Sequence, residues 1–212
     1  NDLNENKSIG FYEIAKIKFY SDIKDALKNI LKAIELKKNF APYVKLHLEI
    51  TVALNDKRNL KKLIKKYWSS NPSSPLRSVI TKILNDNDLT DIKFINEIIK
   101  NNTTEEESKK LLIYFAIKNL KWDIARENVI GMIGSSPSKD ICYFMSDIEL
   151  GENNDKQKSD AWIMRAENAK LENSWTCRIT NQSQEEWSSL SDSGNYNSLV
   201  WSSPMMIREN SN

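Results

Sequence analysis

Few residues of the kinds that carry out chemistry occur in this chain, and their neighbours decide how each is read. His47 is the single histidine, so a histidine-centred triad or relay would have to be built there. It stands beside Leu48 in a helical apolar pattern, which makes it a half-buried helix residue rather than a base. Cys142 and Cys177 lie far apart and read as free thiols of a reducing compartment. Cys177 opens a tryptophan-rich stretch and so invites a metal reading. The Glu185–Glu186 pair and the Glu105–Glu107 run read as solvated or helix-start charges, with Thr103 or Thr104 as the helix cap. No glycine-rich loop opens a helix after a strand. The chain is therefore expected to hold no catalytic residues and no cofactor.

Composition narrows the classes further. The 212 residues carry 31 basic and 29 acidic side chains, intermixed, for a net charge of +2. A nucleic-acid interface would need a lopsided basic face, so no nucleic-acid partner is expected. Apolar residues make up 40%, enough for a folded core. The apolar run Leu111–Ile117 falls far short of the ~18 residues a membrane helix requires. The chain opens on Asn1 rather than Met and reads as an excised piece, with a membrane anchor expected upstream.

The elements that would position any site are helices. Five glycines and five prolines are too few for an all-β fold with many tight turns. Apolar residues recur at helical spacing in stretches of about 11–15 residues separated by short polar links. A period of 34 residues fits several of them. A unit from Lys7 places Ile14 on the first-helix packing position and Ala26, Ile30 and Ala33 on the second helix. One from Ala41 gives Leu48, Leu60, Ile64, Tyr67 and a closing Pro72; one from Glu106 gives Ile113, Ala125, Val129, Met132 and Pro137. A last unit from Asp140 supplies Ile163 and Ala166. Pro75–Glu105 is a shortened, degenerate unit with Phe94 and Ile98 in place and Asn101 where a small residue belongs. The pattern resembles tetratricopeptide repeats. The expected fold is all-α, a right-handed array of helical hairpins over residues 1–172, followed by a tryptophan-rich C-terminal cap and flexible tail over 173–212.

After Ala169 helical periodicity stops, and Trp175, Trp187, Tyr196 and Trp201 punctuate a serine-rich segment with a turn at Ser193-Gly194-Asn195. The tryptophans are expected to pack a small hairpin onto the last helix pair, with Trp162, Trp175, Trp187 and Trp201 forming the cap. First helices of such arrays line a concave side, so Phe11, Ala15, Lys45, Glu49, Lys110 and Tyr114 are the expected partner-binding groove.

The segments Asp160–Ala166, Ser174-Trp175-Thr176-Cys177, Glu186-Trp187 and Leu199-Val200-Trp201 resemble the C-terminal end of the HemY-type family. These are tetratricopeptide proteins of the bacterial inner membrane linked to late haem biosynthesis. The resemblance implies a non-enzymatic scaffold, anchored upstream, whose repeat domain binds protein partners on the cytoplasmic side. The tail also resembles the paired zinc knuckles of repeat-containing adaptors that regulate lipopolysaccharide synthesis. That resemblance puts Cys177, Thr180, Ser189 and Asp192 on the ligand positions. One thiolate, two hydroxyls and a carboxylate are a poor tetrahedral zinc set, so no metal is expected. The alternative function this implies is an adaptor presenting a client enzyme to a protease or synthase, with a degenerate knuckle.

Overall fold

Apolar stripes at helical spacing, broken by short polar links, give ten helices in the computed structural model, which describes residues 2–170 and 172–203. They are α1 (Asp2–Lys18), α2 (Ile23–Leu36), α3 (Ala41–Ala53), α4 (Lys57–Ser70), α5 (Ser74–Asp86), α6 (Ile92–Ile99), α7 (Glu106–Lys118), α8 (Trp122–Ile130), α9 (Lys139–Asn153) and α10 (Lys156–Glu167). Three short strands follow: β1 (Ser174–Cys177), β2 (Ser183–Gln184) and β3 (Leu199–Ser202).

Local chemistry fixes where the helices start. Asp22, Asp56, Asp91 and Asp155 stand at N-caps, each carboxylate accepting a backbone N–H of the first turn, from Asp25, Asn59, Lys93 and Lys158 at 2.7–3.0 Å. The expected threonine cap is absent. α7 starts after Glu105 with no side-chain cap bond, and Thr103 and Thr104 belong to the preceding turn. Prolines enter two helices where a missing N–H is harmless, at Pro42 and Pro75 in the first turns of α3 and α5.

Neighbouring helices in sequence pack as α1 with α2, α3 with α4, α7 with α8 and α9 with α10. Odd-numbered helices also meet in series, α3 on α5, α5 on α7 and α7 on α9. α6 packs on α4 and α7, and buries Phe94 and Ile98 while Asn101 stays exposed just beyond its end. The central core joins Leu48, Leu60, Ile64 and Trp68 to Leu76, Ile80, Leu84, Leu111 and Phe115. A second cluster gathers Ile113, Ala125, Val129, Ile141 and Ile148, with Trp162 packed at its edge. Ala26, Ile30, Ala33, Tyr67 and Ala166 are buried as their spacing requires. Ile14 and Ile163 are exposed, and Met132 lies past the end of α8. In α1 the inward face is carried instead by Ser8, Ile9, Tyr12 and Ala15.

The strands form one antiparallel sheet in the order β2-β1-β3, with Trp175 opposite Trp201 and Cys177 opposite Leu199. The expected seat on the last helix pair is wrong. Trp175, Cys177, Trp187 and Leu199 share a core with Ile9, Tyr12, Ala26, Ile30, Tyr43 and Leu46, so the sheet folds back onto α1–α3. Trp162 belongs to the other end and takes no part in the cap.

Four interhelix links share one device: a residue in the left-handed region, after which the next N–H reaches back into the preceding helix. Asn55 (φ 57) precedes Asp56, whose N–H meets Thr51 O at 3.4 Å; Asn154 (φ 51) precedes Asp155, bonded to Glu149 O at 3.0 Å. Asp88 (φ 55) precedes Leu89, bonded to Leu84 O at 2.9 Å, and Leu120 (φ 54) precedes Lys121, bonded to Ala116 O at 2.8 Å. Asparagine tolerates this conformation; a leucine does not, at a cost of about 1–2 kcal/mol. Leu120 is 68% exposed, so its side chain returns little packing. Replacing Leu120→Asn is expected to raise stability by about 1 kcal/mol, read as a higher urea midpoint at unchanged slope.

Candidate functional site

The candidate site is a run of connected clefts between the odd-numbered helices and the docked sheet. It begins where the sheet is held. Trp187 is 6% exposed and meets Tyr12, Phe40 and Tyr43 edge to face, at ring-centroid distances of 5.4, 5.1 and 6.0 Å. Trp175 approaches Phe40 at 5.9 Å and Trp201 at 5.2 Å. Tyr43 Oη and Ser8 Oγ are hydrogen bonded at 3.0 Å, so the phenol buried beneath the tryptophans is satisfied. Lys45 Nζ completes the seam with a 2.6 Å bond to Glu186 Oε1. That contact holds the Glu186 carboxyl below its ordinary range, with burial working against it.

A cleft of about 120 Å³ remains under the sheet, walled by Tyr12, Pro42, Pro75, Trp175, Trp187 and Trp201. A larger one, about 590 Å³, runs from Trp201 across α5 to Tyr114, Asp140 and Phe144. A third, about 410 Å³, lies over Lys45, Glu49, Val79 and Asp86. Lys82 lines all three, and it makes no hydrogen bond or ion pair with any described residue. Glu49 is half-buried; its burial and the nearby Glu186 charge raise its pKa, opposed by Lys45 and Lys82. Tyr114 Oη accepts from Asn85 Nδ2 at 2.9 Å.

Of the six expected groove residues, Lys45, Glu49 and Tyr114 line these clefts. Ala15 is fully buried, and Phe11 packs at the edge of the first core beneath the Lys32 ammonium, 5.1 Å from its ring. Both depart from expectation because the inward stripe of α1 is offset from the assumed repeat position. Lys110 is 7% exposed and acts as an internal tie. Its burial opposes the charge, but Glu106 (2.8 Å), Glu107 (3.5 Å) and Asp140 (3.9 Å) outweigh it and raise the pKa. Arg77 joins the same network, its Nε donating to Glu107 at 2.7 Å and its Nη2 bonded to Asp140, so α5, α7 and α9 are bridged by charge. Arg77, Ser78 and Lys82 went unanticipated because α5 lies in the unit whose pattern is weakest.

Around Cys177 the tail assembles hydroxyls. The buried sulfur lies 3.2 Å from Ser198 Oγ and accepts a long 3.7 Å contact from Ser193 Oγ. Contacts with the Ser198 and Thr180 hydroxyls lower its pKa to about 5, against the effect of burial. Thr180 and Ser191 each reach Ser193 Oγ, at 3.1 and 3.0 Å. Ser189 and Asp192, the other two knuckle positions, do not join the cluster. Asp192 is exposed with its N–H bonded to Gln184 Oε1, and the Ser189 carbonyl accepts from Asn197. Among the described residues no group of three His, Cys, Asp or Glu converges to hold a metal ion.

His47 sits 5% exposed in α3, with Nδ1 and Tyr67 Oη 2.6 Å apart. Burial, aided by the charge of Lys66, lowers its pKa to about 4.

No protein-family model matches the chain, and no curated protein matches it.

Two outcomes follow from this geometry. Trp187→Ala should cost about 3–5 kcal/mol. Hydrogen-exchange protection should fall in α1–α3 and persist in α7–α10, whereas Trp162→Ala should weaken α7–α10 and spare the cap. For His47, the unfolded imidazole takes up its proton near pH 6.5 and the folded one only near 4. The unfolded state therefore binds more protons in that window, and stability is lost as pH falls from about 6.5 through 4, by roughly 2–4 kcal/mol. Urea titrations at pH 7, 5.5 and 4.5 should show this slope, and His47→Gln should flatten it.

Proposed function

We propose that the chain is a non-enzymatic scaffold of tetratricopeptide-like hairpins, forming a right-handed array, that binds a protein segment along the clefts between α3, α5, α7 and the docked sheet. The single observation that carries this reading is Lys82. It is an ammonium with no hydrogen bond or ion pair to any described residue, shared by three clefts whose walls mix Tyr114, Phe144 and the three tail tryptophans with polar side chains such as Lys45, Glu49, Asp86 and Asp140. Aromatic side chains set among polar and charged ones are common at protein-binding surfaces. The C-terminal sheet is then part of the binding face rather than a remote cap.

The resemblance of the tail to the HemY-type family supports a place at the cytoplasmic side of the bacterial inner membrane, in the service of haem synthesis through protein partners. No described helix is long and apolar enough to cross a membrane. On this reading the anchor is upstream of Asn1. The second reading, an adaptor presenting a client enzyme to a protease or synthase, rests on the resemblance of the tail to a knuckle, of whose four positions Cys177 and Thr180 alone join one hydroxyl cluster.

A photo-reactive residue placed at Lys82 or at Tyr114 in cells should give the same discrete protein adduct, and one at Leu31, on the exposed face of α2, should give none. Equal labelling from all three positions would reject the groove. Identification of the adduct separates the two readings, since one expects a porphyrin-pathway protein and the other a protease or synthase. Protoporphyrin titration should leave the Soret spectrum unchanged.

A further inference from the structure

Charge in this chain is intermixed except along α4. That helix carries Lys57, Arg58, Lys61, Lys62, Lys65 and Lys66 and no acidic side chain. The chain's 31 basic residues less these six leave 25 against 29 acidic ones, so the rest of the molecule is net acidic and the balance of +2 conceals a basic face. Leu60, Leu63, Ile64, Tyr67 and Trp68 turn into the core, and helical spacing sets Arg58, Lys62 and Lys66 in a row on the opposite, exposed side. Those three side chains make no hydrogen bond or ion pair with any described residue. They stand four residues apart, about 6 Å along the axis, where like charges oppose one another. Such a row costs the folded state stability, and a surface of opposite charge relieves it. Lys61 and Lys65 flank the row on the side of α6. The Lys61 ammonium lies 5.0 Å from the Phe94 ring centroid, and Lys65 Nζ bonds Glu97 Oε2 at 2.9 Å. α6 packs alongside and adds the exposed Lys93 and Lys100, with Glu97 the only acidic residue within either helix.

We infer that this outer face of α4 and α6 adsorbs to an anionic lipid surface. Its chemistry separates that partner from nucleic acid. α6 lies against one flank of α4, so α4 does not stand clear to enter a duplex groove about 8.5 Å deep. The aromatics of both helices, Tyr67, Trp68 and Phe94, are buried and offer no platform for unpaired bases. Five of the six cations of α4 are lysines, compact point charges that suit a diffuse field of headgroups better than the two-pronged reading of a fixed phosphate. No residue of α4 or α6 lines the three clefts around Lys82, so a molecule resting on this face keeps them open. The inference follows from charge and placement and stands apart from the functional reading above.

Co-sedimentation of the chain Asn1–Asn212 with vesicles tests it. The wild type should pellet with an equal mixture of phosphatidylglycerol and phosphatidylcholine and stay in solution with phosphatidylcholine alone. Salt at ~1 M, where the Debye length falls to about 3 Å, should release it. Arg58→Gln, Lys62→Gln and Lys66→Gln combined should lower the partition about 100-fold, since each cation near such a surface contributes roughly fivefold. Lys62→Glu alone, which reverses one charge, should lower it roughly 25-fold. Lys121→Gln, Lys156→Gln and Lys170→Gln combined remove the same charge from exposed positions elsewhere and should lower it less than about fivefold. Helicity should be unchanged in all three. A wild type that ignores the anionic vesicles, or binds neutral ones equally, overturns the proposal. So do equal losses from the two triple variants, because net charge and not this face would then govern binding. A duplex DNA that binds the wild type more tightly than the vesicles at the same salt, and loses that binding in the α4 triple variant, would assign the face to nucleic acid and overturn the lipid surface as its partner.

Discussion

The docking of Trp187 among Tyr12, Phe40 and Tyr43 is the contact on which the arrangement of the molecule depends. It joins the C-terminal strands to the first two helix pairs, and it does so with large rigid rings whose edge-to-face geometry admits few alternatives. The strands are too short to stand alone, since a sheet of this size requires a supporting apolar surface. α1–α3 supply that surface. The Lys45–Glu186 contact then sets the edge of the sheet against α3, and the clefts are what remains between them.

A second set of constraints holds the far half. Arg77, Lys110, Glu107 and Asp140 form a partly buried charge network across α5, α7 and α9, where each carboxylate is shared between cations. Such networks add little net stability, but removing one member leaves an uncompensated charge, so they fix relative placement more than they strengthen it. The network lies directly beside the cleft that runs from Trp201 to Tyr114. One end of the proposed binding surface is therefore held by aromatic packing and the other by ion pairs, with α5 and Lys82 between them.

Chemistry in the tail was recast by the same fold. Cys177 looked like the start of a metal set, yet the turns bring Ser193 and Ser198 to the sulfur and leave Ser189 and Asp192 elsewhere. The sulfur is oriented within a hydroxyl cluster, and the buried apolar face of its strand is what seats the sheet. His47 is a helix residue as its neighbours indicated, but buried more deeply than the half-buried place they suggested, its imidazole hydrogen bonded to Tyr67.

Helix content and the identities of most core residues were legible in sequence because they depend on periodicity and on residues close in the chain. Ala26, Ile30, Ala33, Leu48, Ile64, Ala125 and Val129 are all buried where spacing puts them. The offset in α1 was not legible, because a helix with apolar residues on two faces gives no single stripe to read; Ile14 and Ala15 changed places for that reason. Nor was the seat of the sheet. Residues 175–201 carry the same tryptophans whichever helix pair they cover, and only the three-dimensional proximity of Tyr12, Phe40 and Tyr43 selects the first pairs over the last. Spacing along the chain determined which residues turn inward. Contacts between residues as distant as Lys45 and Glu186, 141 positions apart, are encoded by no local pattern, and they decided where the ends meet and hence which groove is open.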